Sequence, residues 1–352
     1  MPATDKPLIT FALLAYNQAQ FIGEAVTSAF SQTYSPLEIV LSDDCSKDGT
    51  FAIMRSMCDA YAGPHRTKLN RNPQRRGIGG HLDAVMELSR GELILLGAGD
   101  DISLPDRTET IFQAWDLFAR RATSIYSDYT SISESGKPLE SGRESEPSHE
   151  TRCEEEVSTL LSFVESLKPV VCGCTHAFAP RLFSLFGPLT DSVTYEDLAL
   201  SFRSYAVGSV LHVNRPLVLY RRHSENVSFH KLEGRIVDSR SFASIEAKHR
   251  RRLKGFIQGC ERFLKDLDTL VEKKLLRSQQ ADEVRNAIEK KKRKLELELV
   301  LLDGTFPERV GAFCQLYSSG SRGSELVAGA ARCLPRSLYR QARIIKNKGF
   351  RI

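Results

Sequence analysis

A mostly parallel α/β sheet flanked by helices, followed by a helical C-terminal appendage, is the fold class this sequence predicts. Three observations lead there. Short apolar runs alternate with stretches of helical spacing as far as about residue 230, the pattern of βαβ units with right-handed crossovers. Three of those runs end in polar residues, at Asn17, at Asp43-Asp44 and at Asp100-Asp101. Beyond Ser228 the apolar residues recur at steps of three and four over long distances, which reads as amphipathic helix.

The elements follow in order. Leu8 to Leu14 is a buried strand that leads into the turn Ala15-Tyr16-Asn17. Phe21, Ile22, Ala25, Val26, Ala29 and Phe30 share one helical face. Leu37 to Leu41 is a second strand, a helix follows from Thr50 to Tyr61, and another spans Gly80 to Ser89. Glu92 to Leu96 is a third strand, then come a helix from Arg107 to Arg121 and a strand from Ser124 to Ser127. Ser131 to Glu156, rich in Ser, Glu, Pro and Gly, reads as a loop. Val170 to Ala179 reads as a strand, Glu196-Asp197 opens a helix, and Val207 to Tyr220 supplies one or two strands. Phe242 to Leu270 and Val284 to Leu302, broken near Arg277 to Gln280, form a helical hairpin.

Composition narrows the class. At 352 residues the chain has room for one large α/β domain with an appendage, or for two domains. A hydrophobic fraction of 41% and a charged fraction of 26% suit a folded globular protein. No run of 18 apolar residues occurs, so no transmembrane helix is predicted. Met1 to Lys6 does not open a signal segment, and the chain is expected in the cytoplasm. The eight cysteines are scattered, as reduced thiols would be. Cys172 and Cys174 are the one close pair, and within an apolar run they should face one side of a strand. The net charge of +5 is uneven: Leu326 to Ile352 holds seven Lys or Arg and no acid. Such a tail either rests on an anionic membrane surface or packs as a basic helix on the body. Nucleic acid is not an expected partner of so mildly basic a chain.

Sites in open parallel sheets form beyond the carboxyl ends of the strands. Asn17, Asp43, Asp44, Asp100 and Asp101 all lie at such ends. Asp100-Asp101 suits a hard divalent ion, which takes one or two carboxylates and completes its shell with water and phosphate. The alternative is a capped turn. Glu196-Asp197 could supply a general base, or it could simply be acids placed at a helix N-terminus. Arg221-Arg222-His223 could meet phosphate or metal, or be a solvated basic turn.

Four segments, in this order, resemble glycosyltransferase family 2. They are ITFALLAYNQAQFIGEAVTSAFSQTYSPLEIVLSDDCSKDGT, RGELILLGAGDDISLPDR, YEDLALSFR and LYRRHSENVS, and together they cover about the first 230 residues. The resemblance implies a GT-A-like catalytic domain over 1–235, with a nucleotide-sugar half to about 128 and an acceptor half beyond it. The hairpin at 236–305 and the basic amphipathic tail at 306–352 lie outside it. It implies that Ala15, Tyr16, Asn17, Asp44, Arg76 and Asp100 bind the nucleotide-sugar. It also implies that Asp101 and His223 hold Mg²⁺ or Mn²⁺, and that Asp197 is the base with Glu196 beside it. The activity implied is inverting transfer of a sugar from a nucleoside-diphosphate-sugar to a hydroxyl of a glycan or lipid-linked acceptor. The setting implied is synthesis of a bacterial surface polysaccharide such as O-antigen, capsule or exopolysaccharide.

Two positions depart from the family pattern. Leu14-Ala15 stands where the family often has Pro-Thr, and His81-Leu82-Asp83 stands where Ala-Arg-Asn is common. Arg75 or Arg76 could supply the missing cation. Two other functions remain open. A catalytically silent GT-A-like protein would bind glycan or assemble partners, including further copies, through 242–302. A nucleotidyltransferase also uses acidic pairs on an α/β sheet, but no Gly-rich basic phosphate loop opens this chain.

Overall fold

A computed structural model describes residues 6–139, 152–156, 158–167, 171–190, 193–223, 226, 239–317, 330 and 333. The chain divides into two compact units. The first is Met1–Asn226 with Lys265–Ala281, and the second is Val227–Leu264 with Asp282–Ile352.

In the first unit β1 (Ile9–Ala15), β2 (Leu37–Asp43), β3 (Arg66–Arg71) and β4 (Leu93–Ala98) lie parallel in the order β3-β2-β1-β4. The sheet continues with β5 (Ile102–Ser103), β6 (Ser124–Ser133), β7 (Cys153–Glu155), β8 (His176–Phe178) and β9 (Val210–Arg222). The order from β4 outward is β8-β6-β9-β5, with β7 also on β9. β6 and β9 form a long parallel ladder, while β8 runs antiparallel to both β4 and β6. The helices are α1 (Ile22–Phe30), α2 (Thr50–Asp59), α3 (Gly77–Leu88), α4 (Arg107–Leu117), α5 (Leu160–Ser166), α6 (Arg181–Phe186) and α7 (Glu196–Val207).

Every residue of β1 and β2 is buried, as expected when helices cover both faces of a parallel sheet. Alternate residues choose the face. Ile9, Phe11 and Leu13 pack against Val26 and Ala29 of α1, Met54 of α2, and Ile111 and Trp115 of α4. Ala12 and Leu14 pack against Leu82 and Val85 of α3, Leu182 of α6, and Ala199 and Leu200 of α7. The period-two pattern of β1 therefore sets which helices lie above the sheet and which lie below.

Two sequence expectations are corrected, and one strand is added. The polar segment Arg66–Arg71, to which the sequence assigns no element, forms the edge strand β3, where one-sided pairing tolerates half-exposed polar residues. The run Val170 to Ala179 is not one strand: Gly173–Thr175 is a tight 3₁₀ turn, closed by the Thr175 N–H to the Cys172 carbonyl at 2.9 Å, and only His176–Phe178 pairs. The expected loop from Ser131 to Glu156 begins and ends in strand, β6 reaching Ser133 and β7 taking Cys153–Glu155, while 140–151 lies outside the described residues.

The C-terminal helices are α8 (Ser239–Glu272), α9 (Ser278–Asp303) and α10 (Phe306–Tyr317). In the second unit the first two run antiparallel, bridged by Arg250 to Asp303 at 2.7 Å and Lys292 to Glu261 at 3.1 Å. Leu253, Cys260, Phe263, Val284, Ile288 and Leu295 are buried, matching the spacing that predicts the hairpin. Among the described residues no helix is long and apolar enough to cross a membrane. The membrane-surface expectation for 326–352 falls outside the described residues, apart from Ala330 and Cys333.

Candidate active site

Because β1, β2 and β4 are parallel neighbours, their carboxyl ends share one rim. Two backbone bonds knit it: the Asp44 N–H donates to the Ala15 carbonyl, and the Gly99 N–H to the Leu14 carbonyl, each at 2.9 Å. Tyr16 sits on this rim with the Arg75 guanidinium 4.2 Å from its ring centre. Asn17 adopts a left-handed backbone (φ 52°), which its side chain supports by accepting the Lys47 N–H at 2.9 Å. Asp44 is buried and accepts three bonds, from Asn72 Nδ2 (2.8 Å) and from the Arg76 and Gly77 N–H groups (2.9 Å each). The residue expected at the nucleoside thus also ties the end of β3 to the start of α3. Of the two candidate cations, Arg76 meets Asp44 through its backbone, and Arg75 is the one stacked on Tyr16.

At the end of β4, Asp101 is buried and accepts the Arg221 N–H at 2.8 Å, with the Cys174 side chain beside its carboxyl. Loss of water, then the neighbouring Asp100, pushes its pKa up to about 8. His223 Nε2 lies 2.9 Å from Asp100 Oδ2, and that bond raises the imidazole's pKa. Asp100, Asp101 and His223 are therefore brought together, although His223 lies 123 residues beyond Asp100 in sequence.

Two arginines hold this corner. Arg221 is neither a solvated turn residue nor an exposed phosphate ligand. It is 1% exposed, and its guanidinium donates to the Asp100 carbonyl (2.9 Å), the Glu134 carbonyl (2.8 Å) and Glu24 Oε2 (2.8 Å). It fastens the end of β4 to α1 and to the residue that follows β6. Arg107 is fully buried and donates to the Leu96 carbonyl and Ser103 Oγ, and loss of water lowers its pKa to about 10. Sequence reasoning missed Arg107, because an arginine at a helix start gives no sign of burial.

Glu196 and Asp197 are the first residues of α7. Each keeps some surface at solvent, but protein crowds the carboxyls. Desolvation, then Asp197, raises Glu196 to about 8. Desolvation raises Asp197 to about 6, against the bond it accepts from the Leu198 N–H at 2.8 Å. The turn Gly173–Thr175 lies between this pair and the carboxyls at the end of β4. Cys174 reaches Asp101, and a Cβ on Gly173 would stand 2.4 Å from Glu196 Oε1. One short turn therefore touches both acidic groups. Gly173→Ala is expected to force the Glu196 carboxyl aside at little cost in stability, since a side-chain end can swing. Turnover should fall roughly 10²-fold while Tm barely moves, as kinetics and thermal melting of the same preparation will show.

A pocket of about 410 Å³ opens next to His223 and is lined also by Asn17, Gln20, Phe21, Asp48 and Glu134. Of the expected site residues it takes Asn17 and His223. Among the described residues, no group of three or more His, Cys, Asp or Glu is spaced to hold a metal ion by itself. What is present fits an ion that arrives with its own phosphates. Asp101 is a buried carboxyl whose pKa is raised by loss of water and by Asp100, and Asp100 and His223 stand beside it.

The fold is GT-A-like. The Staphylococcus aureus TarS 1–349 structure superposes with a TM-score of 0.56 at 13% identity, covering 96% of this chain and 88% of that one. The same TarS fragment bound to UDP-GlcNAc gives 0.51 at 13% identity, covering 97% and 93%. Residues 10–174 match the sequence profile described as Glycosyl transferase family 2. Relatives agree. An uncharacterized glycosyltransferase of Rickettsia prowazekii is 24% identical over 64% of this chain and 69% of its own length. The succinoglycan biosynthesis protein ExoO of Rhizobium meliloti is 32% identical over 47% of this chain and 44% of its own. Chondroitin synthase of Escherichia coli is 26% identical over 64% of this chain and 31% of its own.

Proposed function

We propose that this chain is an inverting glycosyltransferase. It moves a sugar from a nucleoside-diphosphate donor to a hydroxyl of a glycan or lipid-linked acceptor during synthesis of a bacterial surface polysaccharide. The observation that carries the proposal is the Gly173–Thr175 turn, which lies against both the β4 carboxylates and the α7 carboxylates. Transfer needs a place for a charged diphosphate and a base for a hydroxyl within one sugar's reach. The polysaccharide setting is supported by the relatives named for succinoglycan and chondroitin, and the nucleotide-sugar by the UDP-GlcNAc bound to TarS.

In this reading Tyr16, Asn17, Asp44 and the Arg75-Arg76 pair form the nucleoside side of the rim. Asp101, with Asp100 and His223, would hold Mg²⁺ or Mn²⁺, which neutralises charge on the departing diphosphate. Asp197 takes the acceptor's hydroxyl proton as the oxygen attacks the anomeric carbon opposite the leaving group. Glu196, pushed to a higher pKa, stays protonated near neutral pH and can donate a hydrogen bond to the acceptor. A single in-line displacement forms no enzyme-sugar bond and inverts the anomeric centre.

The base must be ionised to act. With Asp197 raised to about 6, kcat is expected to fall as pH drops through about 6, well above the ~4 of an ordinary aspartate. The limb belongs to the Glu196–Asp197 pair as a unit. A pH profile with full activity down to pH 4.5 would contradict this assignment.

The function is tested by a thermal-shift screen of nucleoside diphosphates and nucleotide-sugars with Mn²⁺, followed by product analysis with the best binder. A ligand at 100 times its Kd stabilises by about 2.7 kcal/mol. The expected result is a raised Tm for one nucleotide class and release of its nucleoside diphosphate. A folded protein that binds none of them would instead be the catalytically silent form.

A further inference from the structure

The segment that delivers the acidic pair of α7 is gripped by charged groups that no motif marks. Arg203 lies seven residues after Glu196 on α7, two turns along the same face. Its side chain is fully buried between Phe183 and Phe186, 5.5 and 5.3 Å from their ring centres. It forks onto Asp266 of α8, Nε to Oδ2 at 2.9 Å and Nη2 to Oδ1 at 3.3 Å. Its remaining nitrogen, Nη1, donates to the Leu182 carbonyl (3.2 Å) and the Gly187 carbonyl (2.9 Å). Asp266 is also fully buried and belongs to the first unit with the rest of Lys265–Ala281, about ninety residues beyond the family profile's last matched position.

The same connection is held from α3. Asp83 is buried and accepts the N–H groups of Leu189 (2.7 Å) and Thr190 (2.8 Å). Gly79 lies so close that a Cβ there would be 2.4 Å from the Thr190 carbonyl. Thus the carbonyl of Gly187 is fixed by Arg203 and the amides of Leu189 and Thr190 by Asp83, on the connection that leads from α6 to α7. Asp83, at the position where the family commonly has Asn, here anchors that loop.

We infer that Arg203, Asp266 and Asp83 are positioning residues for the Glu196–Asp197 pair, so that α8 beyond Lys265 is a working part of the transfer site. This rests on the transferase reading given above. None of the three need touch substrate. They act by fixing the N-terminal end of α7, because an arginine fork defines direction as well as distance. A base displaced by about 1 Å loses on the order of 10² in rate.

The test compares three variants of the full chain. Arg203→Lys keeps the charge opposite Asp266 but lacks a planar fork that also spans two carbonyls. The double variant Arg203→Met with Asp266→Leu replaces a buried ion pair by apolar side chains, an exchange that often preserves stability. Asp197→Asn is the reference for the base itself. The expected result is a kcat loss of roughly 10- to 100-fold in the first two, with donor KM within about threefold and the acid limb of the pH profile displaced. Turnover and pH profile both unchanged in the folded double variant, with Asp197→Asn inactive, would overturn the positioning role alone. Normal turnover in Asp197→Asn would overturn the base reading and this inference with it.

Discussion

Asp197→Asn is expected to leave a folded protein that binds donor but transfers sugar about 10²- to 10⁴-fold more slowly, the span that a positioned general base contributes. Asparagine matches aspartate in shape and keeps an oxygen for the Leu198 N–H, now at 2.8 Å, so the start of α7 should survive. What it removes is the ability to take a proton. Asp197 suits the role because desolvation lifts it only to about 6, leaving it ionised at neutral pH yet more basic than a surface aspartate. Glu196, lifted to about 8, is protonated there, so the two neighbours divide acid and base states between them. Asp197→Asn should also erase the acid limb of the pH profile. Donor affinity and Tm measured beside kcat separate loss of base from loss of fold.

Asp101→Asn is the second large effect. The amide keeps an acceptor for the Arg221 N–H, so the corner built by Arg221 and Arg107 should hold. A neutral side chain no longer offers charge to a divalent ion or to the diphosphate that comes with it. Removing one preorganised electrostatic partner of a developing charge costs about 10²- to 10³-fold in rate. The expected signature is a loss of Mn²⁺-dependent donor binding together with that loss in kcat/KM. The apo protein should become more stable, since the substitution removes a buried carboxyl whose ionised form is opposed by loss of water and by Asp100. A variant with unchanged Mn²⁺ dependence would exclude Asp101 as the ligand.

The rim of the site was legible in sequence because its signal is local. An apolar strand ending in Asp43-Asp44 or Gly99-Asp100-Asp101 declares its own carboxyl end, and parallel pairing brings such ends together. The hairpin of α8 and α9 was legible because helical spacing persists for twenty residues or more. What sequence did not show depends on partners far along the chain. Nothing in the sequence marks Arg203 or Arg221 as buried, yet each is held by carbonyls and by a carboxylate 63 or 197 residues away. Asp83 reads as a departure from a motif until the loop at 189–190 is seen to rest on it. The run around Cys172-Gly173-Cys174 reads as strand because its residues are apolar. Its glycine is needed for the approach of Glu196, a contact across 23 residues that no period reports.

Crystals grown with Mn²⁺ and a nucleoside diphosphate, measured for anomalous scattering from manganese, test most directly whether the two acidic groups serve one bond. The expected result is a manganese peak on the Asp101 carboxylate, with the diphosphate beside it and the Asp197 carboxyl facing the space where the sugar begins. A peak on other carboxylates, or a diphosphate from which the Gly173 turn and α7 are both remote, would contradict it.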